Sequence, residues 1–365
     1  MELKEQNILF FTRTMKLGGT ENVVLQLCDI FKDKVNKIIV CSCGGVNVDK
    51  LDAMGIKHYM IPDIENKSIG NIKKTLSVVN RIVRKEDITI VHTHHRMAAF
   101  YSRILSLHKK CIFINTSHNT FYDKKTLTRL AYKKANLVAC GEMVKKNLID
   151  DFKLENVETI TNSVYPFEEQ VVLDREIESY RQQGRFIVSN IGRLSEQKGM
   201  EYYLQAIPPV LKQCPNTQFL VIGEGEDRAK LEKLTSELGI TDNVLFMGYR
   251  TDVQNLMKQS DLIVLSSLWE GYPLTPIEAF SVGKTIIATA VDGTVEIVDD
   301  NVNGYLVKAR DYQEISDKIV YLQEHRDKLI EFEKEARRKY DEKLSFERFS
   351  QHYVDYYKEK INERT

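Results

Sequence analysis

Phe186-Ile-Val-Ser-Asn-Ile-Gly-Arg-Leu-Ser-Glu-Gln-Lys-Gly-Met200 joins a buried apolar run, a glycine-opened loop and the start of a helix over Met200 to Lys212. The same unit recurs downstream, with apolar runs at Phe219-Leu-Val-Ile222, Val244-Leu-Phe246, Leu262-Ile-Val-Leu265 and Thr285-Ile-Ile-Ala288. An earlier series stands at Ile8-Leu-Phe-Phe11, Ile38-Ile-Val40, Ile88-Thr-Ile-Val91, Ile112-Phe-Ile114 and Leu137-Val-Ala-Cys140. Continuous β-branched strands separated by amphipathic stretches predict parallel, doubly wound sheets, and the rhythm runs twice. Between the series, Pro166 to Gly184 is acidic and poor in aliphatic residues, which predicts a linker with one turn of helix. The expected domains are therefore 1–165 and 185–344, linked by 166–184. Phe346, Phe349, Tyr353 and Tyr356 or Tyr357 give 345–365 the spacing of a packing helix. Two α/β domains in tandem place a ligand crevice at the carboxyl ends of both sets of strands.

A chain of 365 residues with 42% hydrophobic content exceeds the usual single core, consistent with two domains. It has no run of eighteen apolar residues, and MELKEQNILFF lacks the small-residue cleavage site of a secretory signal, so the expected location is cytoplasmic. Most of the six cysteines (Cys28, Cys41, Cys43, Cys111, Cys140, Cys214) sit in apolar runs and read as small buried hydrophobes. Neither a disulfide framework nor a metal site is expected.

Charge is balanced overall and badly divided. Residues 1–165 hold 26 Lys and Arg against 17 Asp and Glu, while 166–365 hold 26 against 35. The excess lies between Lys67 and Lys146, with 17 basic and 4 acidic residues. On a helix from Ile69 to Lys85, Lys73, Lys74, Arg81, Arg84 and Lys85 share an arc opposite Ile69, Ile72, Leu76, Val79 and Val83. Lys124, Lys125, Arg129, Lys133 and Lys134 add a second basic helix. Such a face is either simply solvated or attracted to an anionic membrane surface. No groove-reading or aromatic-interleaved element accompanies it, so nucleic acid is not expected.

Arg193 and Lys198 offer a planar fork and a mobile point charge at a strand end, a pair suited to a diphosphate before a helix N-terminus. In Glu270-Gly-Tyr-Pro-Leu-Thr-Pro-Ile-Glu278, Thr275, Pro276 and Glu278 also read as a capping box, with Thr275 the N-cap. Glu270 has no comparable local task. Gly18 and Gly19 would let backbone approach a ligand or simply make a turn, and His92, His94 and His118 fall at strand ends. Gly223-Glu-Gly225 lacks the third glycine of a nicotinamide fingerprint. No Asp-x-Asp triplet, P-loop or Gly-x-Ser-x-Gly elbow is present, which argues against metal-held nucleotide, NTPase and serine-hydrolase chemistry.

These residues, with Val91-His-Thr-His94, Ser117-His118, Gly192-Arg-Leu194, Val221-Ile-Gly-Glu-Gly225 and Gly283-Lys284, resemble the retaining GT-B glycosyltransferases of family 4 over nearly the whole chain. The resemblance implies two Rossmann-like domains facing across a cleft, with the C-terminal helix returning to the first. It implies that Arg193 and Lys198 bind the donor diphosphate, Glu278 the ribose, and Glu270 the transferred sugar. Backbone at Leu274 and Thr275 would meet the phosphates, Gly18 and Gly19 would cover them, and His118 would lie by the sugar. The base would rest on loops after Gly223 and Gly248, near Arg250. The donor would be a nucleotide sugar, UDP-sugar foremost, and the acceptor a lipid-linked or cell-surface glycan, with no cofactor and no metal. Asp292-Gly293 replaces a usual glycine pair, and Asn162-Ser-Val-Tyr165 a usual Asn-Gly-Val-Asp. A non-catalytic partner subunit of this fold and a nucleotide-sugar epimerase stay open; an oxidoreductase would need the missing fingerprint.

Overall fold

Ile8, Leu9, Phe10 and Phe11 have no exposed surface, because β1 (Asn7–Phe11) is a central strand covered on both faces. In the computed structural model, which describes residues 2–364, β1 pairs with β2 (Lys37–Ser42) on one side. β3 (Lys57–Met60) lies beyond β2, and β4 (Ile90–Thr93), β5 (Ile112–Ser117), β6 (Asn136–Ala139) and β7 (Val157–Thr159) follow on the other side. The order β3-β2-β1-β4-β5-β6-β7 is parallel throughout, with Leu9 opposite both Ile39 and Val91. The chain winds one way from β1 to β3 and then restarts beside β1 at β4, so the β1/β4 junction is a topological switch point.

The second unit repeats the plan. β8 (Phe186–Ile191), β9 (Thr217–Ile222), β10 (Val244–Gly248), β11 (Leu262–Leu265), β12 (Ile286–Thr289) and β13 (Gly304–Val307) form a parallel sheet in the order β10-β9-β8-β11-β12-β13. Its switch point is β8/β11. Helix Met200–Gln213 lays Tyr203, Leu204 and Ile207 on this sheet. Tyr203 is fully buried, and its hydroxyl donates to Val188 O at 2.8 Å, so the polar tip is satisfied.

By packing, one compact unit runs to Asn162 and regains the chain from Glu347, and the other is Ser163–Phe346. The two sheets bear out the doubly wound expectation, and helix Phe346–Asn362 returns to the first unit. The Tyr357 ring packs tilted against Phe31, centroids 4.4 Å apart, and its hydroxyl meets His92 Nδ1 at 2.7 Å, while the Tyr353 hydroxyl reaches Thr116 Oγ1 at 3.1 Å.

Three expectations change. The segment 166–184 contains an eight-residue helix, Arg175–Gln182, because Asp174 accepts the N–H groups of Glu176 and Ile177 and caps it. Helix Ile69–Lys85 buries Thr75, Val79, Ile82 and Val83, while Ile69 at its first position is 73% exposed. The apolar stripe therefore starts one turn later than the sequence pattern suggests, although Lys73, Lys74, Arg81, Arg84 and Lys85 are exposed as expected. The second basic helix is shorter, Lys125–Tyr132. Lys124 and Lys134 take left-handed backbone at its ends, and Lys124 and Lys125 pair with Asp123 and Asp151. Among the described residues no helix is long and apolar enough to cross a membrane.

Candidate active site

Lys198 and Glu270 are seventy-two positions apart, yet Lys198 Nζ lies 2.5 Å from Glu270 Oε1. The sheet explains it: β8 and β11 are neighbours, so the loops that leave their carboxyl ends run side by side. Those loops are stitched together. Ser266 Oγ donates to Lys198 O at 3.1 Å, Leu268 N to Gln197 O at 2.8 Å, and Gln197 Nε2 to Trp269 O at 3.1 Å. Gly199 (φ +55°) allows this approach, since a Cβ there would stand 2.3 Å from Ser266 O.

Glu270 is buried. Besides Lys198 it accepts from Ser267 Oγ at 2.6 Å, and its own N–H donates to Asp292 Oδ2 at 3.0 Å. Asp292 holds left-handed backbone (φ +36°) to do so. Arg193 lies exposed just after Gly192. Gly223 directly follows β9, with its amide on Gly248 O at 2.8 Å; a Cβ would fall 1.9 Å from Gly192 O, so only glycine lets these loops pack.

Helix Leu274–Ser281 begins one residue before Thr275, with Pro273 at the cap position and no side-chain cap. The expected capping box is therefore absent: extended Pro273 starts the helix, and Pro276 at its third position gives up an N–H that the first turn leaves unpaired anyway. Leu274 and Thr275 supply first-turn N–H groups of this kind. Glu278, one turn on, makes no side-chain hydrogen bond among the described residues. Burial pushes its carboxyl up to about 7, against the opposing pull of Lys198. Arg250, expected near a base, is held by acidic neighbours: its guanidinium grips Asp252 through two 2.8 Å bonds and Asp174 through a third. It ties the loop after β10 to helix Arg175–Gln182.

The sequence matches the family described as glycosyl transferases group 1 over residues 174–339, and glycosyltransferase family 4 over residues 17–166. The chain is a GT-B glycosyltransferase. It is 26% identical over 323 residues to an Escherichia coli UDP-Gal:alpha-D-GlcNAc-diphosphoundecaprenol alpha-1,3-galactosyltransferase, covering 81% of this chain and 82% of that one. An uncharacterised glycosyltransferase of Methanocaldococcus jannaschii is 30% identical, over 68% of this chain and 64% of its own. A Rickettsia africae glycosyltransferase structure superposes with TM-score 0.82 at 21% identity, covering 98% and 99% of the two chains. Anabaena HepE crystallised with UDP does so at 0.80 and 20%, covering 96% and 99%.

In the first unit of this glycosyltransferase, Gly18 caps helix Gly19–Phe31 with extended backbone (φ 173°), a conformation open to any residue. The turn alone therefore does not call for glycine at that position. His118 directly follows β5, and its ring meets His94 at 3.0 Å. His92 is wholly buried and committed to Tyr357 and Thr116, which makes it a scaffold residue. Sequence reasoning missed Ser267 and the clamp that Asp292 puts on Glu270. The Asp-Gly pair at 292–293 was the available signal, since such a dipeptide marks a turn with positive φ.

The raised Glu278 carboxyl has a consequence for stability. Between the ordinary value of 4.5 and about 7 the folded state binds a proton that the unfolded chain releases, so stability falls as pH rises through that window. Glu278→Gln is expected to remove this loss. Urea unfolding should find the variant more stable than the parent at pH 8, by at most about 3 kcal/mol, and indistinguishable below pH 4.5. Parallel curves for the two proteins across that range would refute it.

Proposed function

We propose that this glycosyltransferase moves a sugar with retention from a nucleotide-diphosphate sugar, UDP-sugar foremost, to a hydroxyl of a lipid-linked or cell-surface glycan. The observation that carries it is the grouping at the β8/β11 switch point. A lysine and a buried glutamate are locked together there, and a second carboxyl, without hydrogen-bond partners among the described residues, lies on the helix that begins just after them. As the bond from the anomeric carbon to the diphosphate breaks, the electron pair leaves on the diphosphate and the sugar turns cationic. Preplaced cations lower the barrier most where that charge develops. In this reading Arg193 and Lys198 take the diphosphate, with the N–H groups of Leu274 and Thr275. Glu278 holds the ribose hydroxyls, and Glu270 a hydroxyl of the sugar. The loop at Gly223 and the turn held by Arg250 carry the base. Gly18 and Gly19 approach the phosphates, and His118 meets the sugar.

The relatives' names support the substrate class. Beside the diphosphoundecaprenol-sugar galactosyltransferase stand a human phosphatidylinositol N-acetylglucosaminyltransferase subunit and a Staphylococcus aureus poly(ribitol-phosphate) alpha-N-acetylglucosaminyltransferase. A thermal-shift screen against UDP-, GDP- and ADP-sugars tests the donor. The best ligand at a hundred times its Kd should add about 2.7 kcal/mol of stability. No response to any nucleotide sugar would sink the reading, and the anomeric configuration of the product decides retention.

The exposed cations of helix Ile69–Lys85 support work at the inner face of the cell membrane as a peripheral protein, on anionic lipid. Each surface-near cation contributes roughly 1 kcal/mol, screened by salt. Co-sedimentation should need anionic vesicles, fall steeply with added salt, and weaken when Lys73, Lys74, Arg81 and Arg84 become Ser. Equal recovery with neutral vesicles would leave a soluble acceptor.

A further inference from the structure

His94 follows β4 directly and is 3% exposed. Its Nδ1 lies 3.0 Å from Nε2 of His118, with the two rings stacked at 5.3 Å and 23°. Its other nitrogen, Nε2, is buried without a hydrogen-bond partner among the described residues. The rings of His92, 4.2 Å away, and Phe10, 5.9 Å away, pack around it.

A neutral imidazole carries one N–H and one lone pair, so a bond between two of them allows only two proton arrangements. In one, His94 Nδ1–H donates to a bare His118 Nε2, and the buried His94 Nε2 is a lone pair. In the other, His118 Nε2–H donates to a bare His94 Nδ1, which forces the His94 proton onto buried Nε2, where it has no acceptor. Orphaned buried donors are far rarer than under-used acceptors, because an N–H taken from water loses its one strong bond. Both rings are neutral near pH 7, since burial holds His118 down to about 4 and His94 well below its ordinary range.

We infer that His94 is a positioning residue that keeps His118 in the Nδ1–H tautomer, so that His118 meets its ligand as a hydrogen-bond donor through Nδ1. A donor at that nitrogen suits a sugar hydroxyl oxygen and cannot act as a base. The catalytic consequence rests on the proposed place of His118 beside the sugar; the tautomer does not.

The test is a long-range proton–nitrogen correlation spectrum of histidine-labelled protein at pH 7.5, assigned with His118→Asn and His94→Gln. Wild-type His118 should show a protonated Nδ1 and a bare Nε2. In His94→Phe it should move its proton to Nε2 and kcat should fall about tenfold, the effect of one lost oriented hydrogen bond, with donor KM little changed. His94→Gln, whose amide can still donate to Nε2, should restore both tautomer and rate. A wild-type His118 protonated on Nε2, or the same tautomer in His94→Phe, would overturn the inference, and the wild-type spectrum decides alone should His94→Phe not fold. A tautomer change with kcat unmoved would instead remove His118 from the transfer step.

Discussion

Glu270→Gln is expected to lower kcat by roughly 10²-fold while UDP binds as well as before or more tightly. The amide is nearly isosteric, so Ser267 Oγ and the backbone clamp from Asp292 keep the loop in place. With Glu270 at the sugar as proposed, what disappears is negative charge beside a group that turns cationic, together with a hydroxyl contact that strengthens in the transition state. Such contacts supply several kcal/mol in sugar chemistry and show in kcat more than in KM. The same change releases Lys198 from its carboxylate partner at 2.5 Å, leaving its charge more available to a diphosphate. Calorimetry with UDP beside steady-state kinetics separates the two effects. Normal turnover in the variant would remove Glu270 from the site, and weakened UDP binding would mean that the pair orients Lys198 rather than restrains it.

Lys198→Ala should cost roughly 2–4 kcal/mol of transition-state stabilisation, as loss of a preorganised charge partner does elsewhere, and should also weaken UDP affinity. It carries a second penalty, at Glu270. Glu270 is 7% exposed and would keep only Ser267 as a side-chain donor to its carboxylate, which should destabilise the fold by about 1–3 kcal/mol. Adding Glu270→Gln to Lys198→Ala removes the stranded charge. The double variant should therefore regain stability in urea without regaining activity, a coupling expected only of residues in direct contact. Arg193→Ala should weaken UDP binding and slow transfer. Unchanged affinity for UDP in both single variants would take the two cations out of the site.

The strands that the sequence reveals most directly are those buried on both faces: Ile8–Phe11, Phe186–Val188 and Leu262–Leu265 read as unbroken apolar runs because hardly any of their surface meets water. Of the four outer strands, β10 was read from its apolar run Val244-Leu-Phe246, whereas β3, β7 and β13 went unread. Lys57–Met60 has no buried residue, Val157–Thr159 has one, and Gly304–Val307 opens on a glycine. An edge strand is held by backbone pairing with one neighbour, and that leaves little trace in side-chain pattern. The helix start at Leu274 was misplaced by two residues because local capping chemistry favoured Thr275 as the N-cap, whereas the chain enters through extended Pro273.

By itself the sequence determined the two parallel sheets, the helix that returns to the first unit, and the residue types gathered after strand ends, since burial period and loop chemistry are local properties. Tertiary structure alone decided their partners. It set Lys198 against Glu270, left Glu278 half-buried with no side-chain hydrogen bond among the described residues, turned Arg250 to Asp174 and Asp252, and faced His94 with His118. The Lys198–Glu270 and His94–His118 pairs depend on which strands are neighbours, β8 with β11 and β4 with β5, and Arg250–Asp174 on a long-range contact, so charge, burial and proton position are set by surroundings that no single segment contains.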